Sequence, residues 1–185
     1  MRSFAEHLEV PTGQGALKNH PHTGAAGGAP CGDLVRIAVR IEGDRVAEAG
    51  FDADGCGALT AAASAIVESV EGSSFLSACL VEPDRLVKGL GLSPPKRHAA
   101  DLAADALHRA LGAAAKDGAV SIEPSARRTL VAMSGGVDSA AAAQLALDAG
   151  DEVVAVTLEL WSDPGTDGEK SCCSPQAVRG ARHLA

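Results

Sequence analysis

Residues 134–139, Ser-Gly-Gly-Val-Asp-Ser, have the composition of a loop that binds a polyphosphate. The two glycines let the backbone approach an anion without interference from a Cβ atom. The two serines add hydroxyl donors, and Asp138 offers a carboxylate for the Mg²⁺ that accompanies a polyphosphate. The run lacks the Gly-Lys-Ser/Thr of the common nucleoside-triphosphate loop. We therefore predict phosphate binding by a loop of another kind.

The segments around this loop predict a strand–loop–helix–strand unit. Residues 129–133 and 153–157 are short apolar runs typical of buried strands, and residues 137–149 predict an Ala/Leu-rich helix. Two strands joined by a helix predict a parallel sheet, with the first amide groups of the helix next to the phosphates. One such unit and a helix after Pro175 cannot cover both faces of a sheet, so we expect the α/β domain to be truncated at Ala185.

The loop and its flanks resemble the tRNA-specific 2-thiouridylase family (MnmA/TrmU), which belongs to the PP-loop ATP pyrophosphatase superfamily. The resemblance covers Val131–Ala140, Val153–Trp161 and Lys170–Ser174. It implies an adenine nucleotide alpha hydrolase-like fold that uses ATP to adenylate the C2 oxygen of the wobble uridine in tRNA. A persulfide sulfur then displaces AMP. The sulfur-handling cysteines of the family are expected beyond Ala185, so no catalytic residue is assigned within this chain.

The same resemblance implies the residues that contact the nucleotide. Asp138 would hold Mg²⁺, and Leu158 stands where the family usually has a Met whose backbone addresses the adenine. The expected ATP-binding residues are Ala132, Met133, Ser134, Gly135, Gly136, Val137, Asp138, Ser139 and Leu158.

Residues 1–116 follow a different pattern, in which strands come first and helices after. Leu34–Ile41 and Arg45–Phe51 predict two strands joined by a turn, and helices are expected over about 58–70 and 98–111. This order predicts an α+β domain. We expect residues 117–128 to form a linker and residues 129–185 to begin the α/β domain.

Three motifs in this first segment make it similar to the U-type iron–sulfur scaffold family (IscU, SufU and the amino-terminal domain of NifU). They are Pro30-Cys-Gly-Asp33, Gly55-Cys-Gly-Ala58 and Pro94-Pro-Lys-Arg-His98. In that family three cysteines, with an Asp and a His nearby, hold a nascent iron–sulfur cluster or a zinc ion, both of which suit soft thiolates. Ala99 stands where the third cysteine should follow. The candidate ligands are Cys31, Asp33, Cys56 and His98.

The two resemblances together suggest a shared sulfur donor, because both families take persulfide sulfur from a cysteine desulfurase. We expect the first domain to dock that desulfurase and to raise the local concentration of sulfur near the activated uridine. Two alternatives remain open. The chain could act mainly as a cluster scaffold or zinc-bound sulfur-relay protein, or it could belong to another adenylating PP-loop enzyme.

Composition narrows the class of protein further. Hydrophobic residues make up 46% of the chain and aromatic residues 2%, which predicts cores built from alanine. Five cysteines, an odd number, argue against a disulfide framework, and with no membrane span in the sequence we expect a cytoplasmic protein without a membrane partner. The net charge of -8 disfavours a broad tRNA-binding surface on these residues.

Three further expectations concern residues outside the motifs. The Gly/His/Pro-rich stretch 13–30 lacks periodicity and predicts an irregular loop, in which His20 and His22 would be solvated. Cys79 lies among Leu76 and Leu80, which favours a buried thiol that acts as a small hydrophobe.

Overall fold

The computed structural model describes residues 2–16, 20–28, 32–123 and 125–157. The chain forms two compact units, residues 1–122 and residues 123–185. In the first unit, helices pack on a three-stranded antiparallel sheet, and the described part of the second unit pairs two parallel strands. The predicted order, an α+β domain followed by the start of an α/β domain, is confirmed.

The first unit has one short helix, then three consecutive strands, then the remaining helices. In chain order its elements are α1 (Phe4–Glu9), β1 (His22–Gly27), β2 (Leu34–Glu42), β3 (Arg45–Asp54), α2 (Gly57–Val70), α3 (Phe75–Cys79), α4 (Pro83–Leu90), a 3₁₀ turn (Pro94–Lys96) and α5 (Arg97–Lys116). The two strands and two long helices predicted from periodicity are β2, β3, α2 and α5.

The sheet has the order β1-β2-β3, with β2 in the centre. Leu34 at the start of β2 lies opposite Asp54 at the end of β3, and Glu42 lies opposite Arg45 beside the connecting turn. Gly43 has a φ of 63° in that turn, a conformation that glycine adopts without steric cost. The register therefore brings the loop before β2 and the loop after β3 to the same end of the sheet.

Helix α5 packs on the sheet through alanines, as the composition predicted. Its buried face is made largely of small side chains, and Ala103, Ala106 and Ala110 have no exposed surface. Gly24 of β1 lies directly under this helix, where an added Cβ would collide with the backbone of Ala106 and Ala110. Small residues on both sides let the helix axis approach the sheet closely.

The prediction for residues 13–30 was wrong. Residues 22–27 form β1, which pairs with β2 over its whole length, and α1 also lies in a segment for which periodicity gave no signal. The side chains of His20 and His22 are largely buried, not solvated, and each lies near a carboxylate, Glu48 or Asp117 respectively. Pairing with β2 imposes the strand on a Gly/Ala-rich segment whose own preference for strand is weak.

The described part of the second unit is a β–α–β arrangement. Its elements are β4 (Arg128–Ala132), α6 (Val137–Asp148) and β5 (Glu152–Val156), and the two strands are parallel with Arg128 opposite Glu152. Val131 and Met133 are buried between this strand pair and α6. The predicted helix after Pro175 lies outside the described residues. None of the helices within the described ranges is both long and apolar enough to cross a membrane.

Candidate metal centre and phosphate-binding loop

Three of the predicted metal ligands lie together at one end of the first sheet. Asp33 immediately precedes β2, Cys56 is the N-cap residue just before α2, and His98 lies in the first turn of α5. One ligand atom from each residue lies within 4.8 Å of the other two. The antiparallel register brings Asp33 and Cys56 together, and the packing of α5 on the sheet adds His98 from 65 residues further along the chain.

Asp33 is the centre of this cluster. Its Oδ1 accepts a hydrogen bond of 3.0 Å from the Cys56 amide, and its Oδ2 lies 3.3 Å from the Cys56 Sγ and 3.0 Å from the His98 Nε2. Burial by itself would raise the pKa of Asp33, but the hydrogen bonds from Cys56 and His98 outweigh it and lower that pKa below its usual value. Asp33 is therefore an anion held by its neighbours at a position with only 6% exposure.

Gly55 makes room for this carboxylate. An added Cβ at Gly55 would collide with the Asp33 Oδ1, so a larger residue there would displace the carboxylate from Cys56. The glycine before the cysteine is thus a direct requirement of the cluster. The sequence contained a signal for this role, because Cys56 has a glycine on each side.

The imidazole of His98 is oriented by the backbone. Its Nδ1 lies 2.9 Å from the Pro95 carbonyl oxygen, which only accepts hydrogen bonds, so Nδ1 carries a proton and donates it. The Nε2 then faces the Asp33 carboxylate. This contact is favourable when Nε2 also carries a proton or when a metal cation takes the place of that proton. The arrangement is therefore stabilised by a positive charge, either a proton or a metal cation, between His98 and Asp33. No signal in the sequence indicated the hydrogen bond to the Pro95 carbonyl.

The other cysteines, and the position where the scaffold family has its third cysteine, add no ligand atom to this cluster within the described residues. Cys31 lies outside the described residues, as do Cys172 and Cys173. Ala99 is fully buried beside His98, in the position expected for the third cysteine of the scaffold family. Cys79 is exposed at the end of α3, contrary to the prediction that it is buried, because its short helix turns Phe75 and Ala78 toward the core instead.

The predicted phosphate loop connects β4 to α6. Met133 extends the strand pair by donating from its amide to the Val156 carbonyl at 2.8 Å. Gly135 has a φ of 78°, which lets the chain turn toward the helix. The Ser139 hydroxyl donates to the Gly136 carbonyl at 3.0 Å and lies 3.3 Å from the Ser134 amide nitrogen. The loop is therefore folded back on the first turn of α6 by its own serines.

The amino end of α6 is open to an anion. Gly136 is the N-cap residue of this helix, and with no side chain it leaves the amides of the first turn without a side-chain cap. Val137 and Asp138 are exposed in that turn, and Ala132 and Ser134 are exposed on the strand side. The structure thus brings residues 132–139 together around one helix end, whereas Leu158 lies outside the described residues.

The first unit is thus a small α+β domain that presents a thiol, an imidazole and a carboxylate at one end of an antiparallel sheet. Residues 2–117 match the family model described as NifU-like N terminal domain. The chain belongs to this family. Residues 127–185 match a second model, described as tRNA methyl transferase HUP domain.

Curated relatives match the two segments of the chain, together in one protein and separately in two others. The bifunctional protein NifU/MnmA of Rubrobacter xylanophilus is 43% identical over 97% of this chain, and the chain spans 39% of that protein's length. The tRNA-specific 2-thiouridylase MnmA of Moorella thermoacetica is 55% identical over 30% of this chain and 16% of its own length. The iron-sulfur cluster assembly scaffold protein IscU 1 of Archaeoglobus fulgidus is 32% identical over 57% of this chain and 70% of its own.

A solved structure supports the fold of the first unit. A crystal structure described only as a hypothetical protein has a TM-score of 0.50 and 22% identity, over 59% of this chain and 93% of its own. At this identity the likeness concerns the fold alone. Taken with the family models, it identifies the chain as a NifU-like domain followed by a short segment of an MnmA-like domain.

Proposed function

We propose that this chain belongs to an enzyme that uses ATP to activate tRNA wobble uridine for thiolation at C2. The observation that carries the proposal is the strand–loop–helix at residues 128–148, whose uncapped helix end lies behind a Ser-Gly-Gly-Val-Asp-Ser loop. The 43% identity to a bifunctional NifU/MnmA protein over nearly the whole chain supports it. In the proposed reaction the C2 oxygen of uridine attacks the α-phosphate of ATP and pyrophosphate leaves. The outer sulfur of a cysteine persulfide then bonds to C2 as AMP departs. The thiolate of a second cysteine breaks the S–S bond, which leaves a disulfide and 2-thiouridine.

Residues 132–139 bind the nucleotide in this proposal. The amides at the start of α6 stabilise the negative charge of the phosphates, and Gly135 and Gly136 allow the close approach. The exposed carboxylate of Asp138 holds Mg²⁺, and the backbone of Leu158 addresses the adenine. The chain's own contribution is to bind and orient ATP, since the sulfur-transferring cysteines are expected elsewhere in the enzyme.

Calorimetry with Mg²⁺ and a non-hydrolysable ATP analogue tests this assignment in the complete gene product. We expect Asp138→Asn to weaken Mg²⁺-dependent binding about tenfold, because a carboxylate ligand of the cation is lost. Asp148→Asn is the matched control, since Asp148 ends the same helix and bonds only to Gln144 among the described residues. Equal affinities for the two variants would show that Asp138 does not bind the Mg²⁺ of the nucleotide. No binding by the unaltered protein would contradict the assignment of the loop as the nucleotide site.

The first domain has a second proposed function, the binding of zinc or a nascent iron–sulfur cluster. The specific observation is the set of Asp33, Cys56 and His98 atoms within 4.8 Å of one another, with His98 oriented through Pro95. These residues fit a metal ion, because their donor atoms converge and because the arrangement calls for positive charge there. Cys31 completes a four-ligand set of two thiolates, one imidazole and one carboxylate. A bound zinc ion would hold the two cysteines as thiolates at neutral pH.

The two proposed functions are linked by their proposed partners. A cysteine desulfurase would deliver persulfide sulfur to the first domain, residues 1–116. The linker over 117–128 would tether that domain to the second domain, residues 129–185, and so raise the local concentration of sulfur. The tRNA would bind mainly outside this chain, which agrees with its net charge of -8. The proposed reaction takes place in the cytoplasm, where tRNA, ATP and reduced thiols are available.

A further inference from the structure

Helix α1 is held against α2 by a buried polar contact. His7 has no exposed surface, and its Nδ1 lies 2.9 Å from the Ser64 hydroxyl. That hydroxyl accepts a hydrogen bond of 2.8 Å from the Thr12 amide, so its single proton is available to His7. Burial, together with the nearby Arg2, lowers the pKa of His7, so the ring is neutral at pH 7 and accepts from Ser64.

An ion pair to α2 belongs to the same network of polar contacts, because the Arg2 guanidinium lies 3.3 Å from the His7 Nδ1. The Arg2 Nε lies 2.6 Å from the Glu68 carboxylate on α2, and the Arg2 guanidinium also donates to the Val10 carbonyl at 3.0 Å. The capping box formed by Ser3 and Glu6 stabilises the start of α1. A helix of only six residues is not stable alone, so these contacts hold it in place.

Helix α1 places one apolar side chain next to the residue that follows Cys56. The Leu8 side chain lies over Gly57, where an added Cβ would come within 3.2 Å of the Leu8 Cδ1. Gly57 is the first residue of α2 and directly follows Cys56. The Cys56 carbonyl in turn accepts from the Leu59 amide at 2.9 Å. Leu8 therefore covers the turn of α2 that carries the thiol ligand.

We propose that α1 is a positioning element for the metal site, in which Leu8 holds the first turn of α2 so that Cys56 faces Asp33 and His98. Leu8 would act through its contact with Gly57. The inference rests on the proposed metal-binding function of the first domain. It assigns a role to a helix outside the ligand motifs.

Leu8→Ala tests this role, because Leu8 is 43% exposed and its truncation leaves the core intact. Val10→Ala is the matched control, since it trims an apolar side chain in the same segment that is 67% exposed. Two quantities are measured in the intact chain for each variant. One is Co²⁺ affinity with the thiolate–Co²⁺ absorption spectrum, and the other is hydrogen exchange of the Leu59 and Thr60 amides without metal.

We expect Leu8→Ala to weaken Co²⁺ binding roughly tenfold, the size seen when residues that orient metal ligands are removed, and to speed exchange at Leu59 and Thr60. Val10→Ala should change neither quantity. Ser64→Ala, checked for folding by circular dichroism, should reproduce the effect of Leu8→Ala by loosening His7. Equal affinity and equal exchange for Leu8→Ala and Val10→Ala would overturn the positioning role. If the unaltered chain takes up no Co²⁺, the metal function fails, and the exchange rates alone decide whether Leu8 orders the turn.

Discussion

The Asp33 Oδ2 lies 3.0 Å from the His98 Nε2 and joins the loop before β2 to the first turn of α5. Cys56 approaches the same oxygen to 3.3 Å. One buried carboxylate oxygen is thus shared by a thiol and an imidazole whose other nitrogen is bonded to the Pro95 carbonyl. A metal cation replaces the two protons that these contacts otherwise need, so metal uptake should release protons.

Cys56→Ser should abolish stoichiometric zinc binding, because a hydroxyl is a poor replacement for a thiolate ligand. Metal content of the purified protein measures this directly. Cys79→Ser is the matched control, since Cys79 is an exposed thiol at the end of α3 and outside the cluster. Zinc content that falls equally in both variants, or in neither, would contradict the assignment of Cys56.

In the metal-free protein, Asp33→Asn should reduce the loss of folding stability that occurs as the pH falls. The pKa of Asp33 is lower in the folded than in the unfolded chain. The stabilisation of the folded state by its carboxylate is therefore fully present above the pKa of Asp33 in the unfolded chain, about 4. The contribution is lost as the pH falls from there through the folded value. Urea unfolding between pH 3 and pH 7 should show a smaller loss for the variant than for the unaltered protein. Parallel curves would show that Asp33 is not held as described.

Ala99→Cys should increase the cluster-binding capacity of the first domain. It supplies the third thiolate beside His98, and iron–sulfur clusters are held mainly by thiolates. After reconstitution with iron and sulfide, the variant should show a stronger visible chromophore per chain than the unaltered protein. Ala100→Cys adds an equally buried thiol one position further along α5 and should not have this effect. Equal chromophores for the two variants would mean that position 99 does not face the cluster.

Gly24→Ala should destabilise the first domain by about 1–3 kcal/mol, because its Cβ would collide with the backbone of α5 and force the helix away from the sheet. Gly112→Ala is a matched change within α5, where nothing lies within 4 Å of the added Cβ. It should stabilise the domain by about 0.5–1 kcal/mol through helix propensity. Urea unfolding measures both, and a neutral Gly24→Ala would contradict the close packing.

The sequence allowed much of this structure to be predicted where periodicity or glycine chemistry is strong. Strands β2 and β3 are short apolar runs on either side of a Gly-Asp turn, and α2 and α5 carry long alanine-rich faces, so both pairs were correctly predicted. Strand β1 could not be predicted, because its Gly24 is present for contact with α5 and not for strand propensity. The burial of His20 and His22 follows from the same strand and was missed with it.

The candidate sites show a similar division. The ligand types at Asp33, Cys56 and His98 came from motifs, and the structure brings these three together. Pro95 lies in the same motif as His98, but the motif does not show that its carbonyl bonds to the imidazole. The position of Leu8 depends on the packing of α1 on α2 and belongs to no motif. The assignment of Cys31 and Leu158 remains a prediction, because both lie outside the described residues.

The most direct test of the proposed function is the 2-thiouridine content of tRNA, measured by mass spectrometry of nucleosides. The complete gene product is incubated with tRNA, Mg²⁺-ATP, cysteine and a cysteine desulfurase. We predict 2-thiouridine with the unaltered enzyme and with Asp148→Asn, and a loss of about tenfold or more with Asp138→Asn. ATP cleavage to AMP without 2-thiouridine would indicate a different adenylating enzyme, and no ATP cleavage under any condition would contradict the central claim.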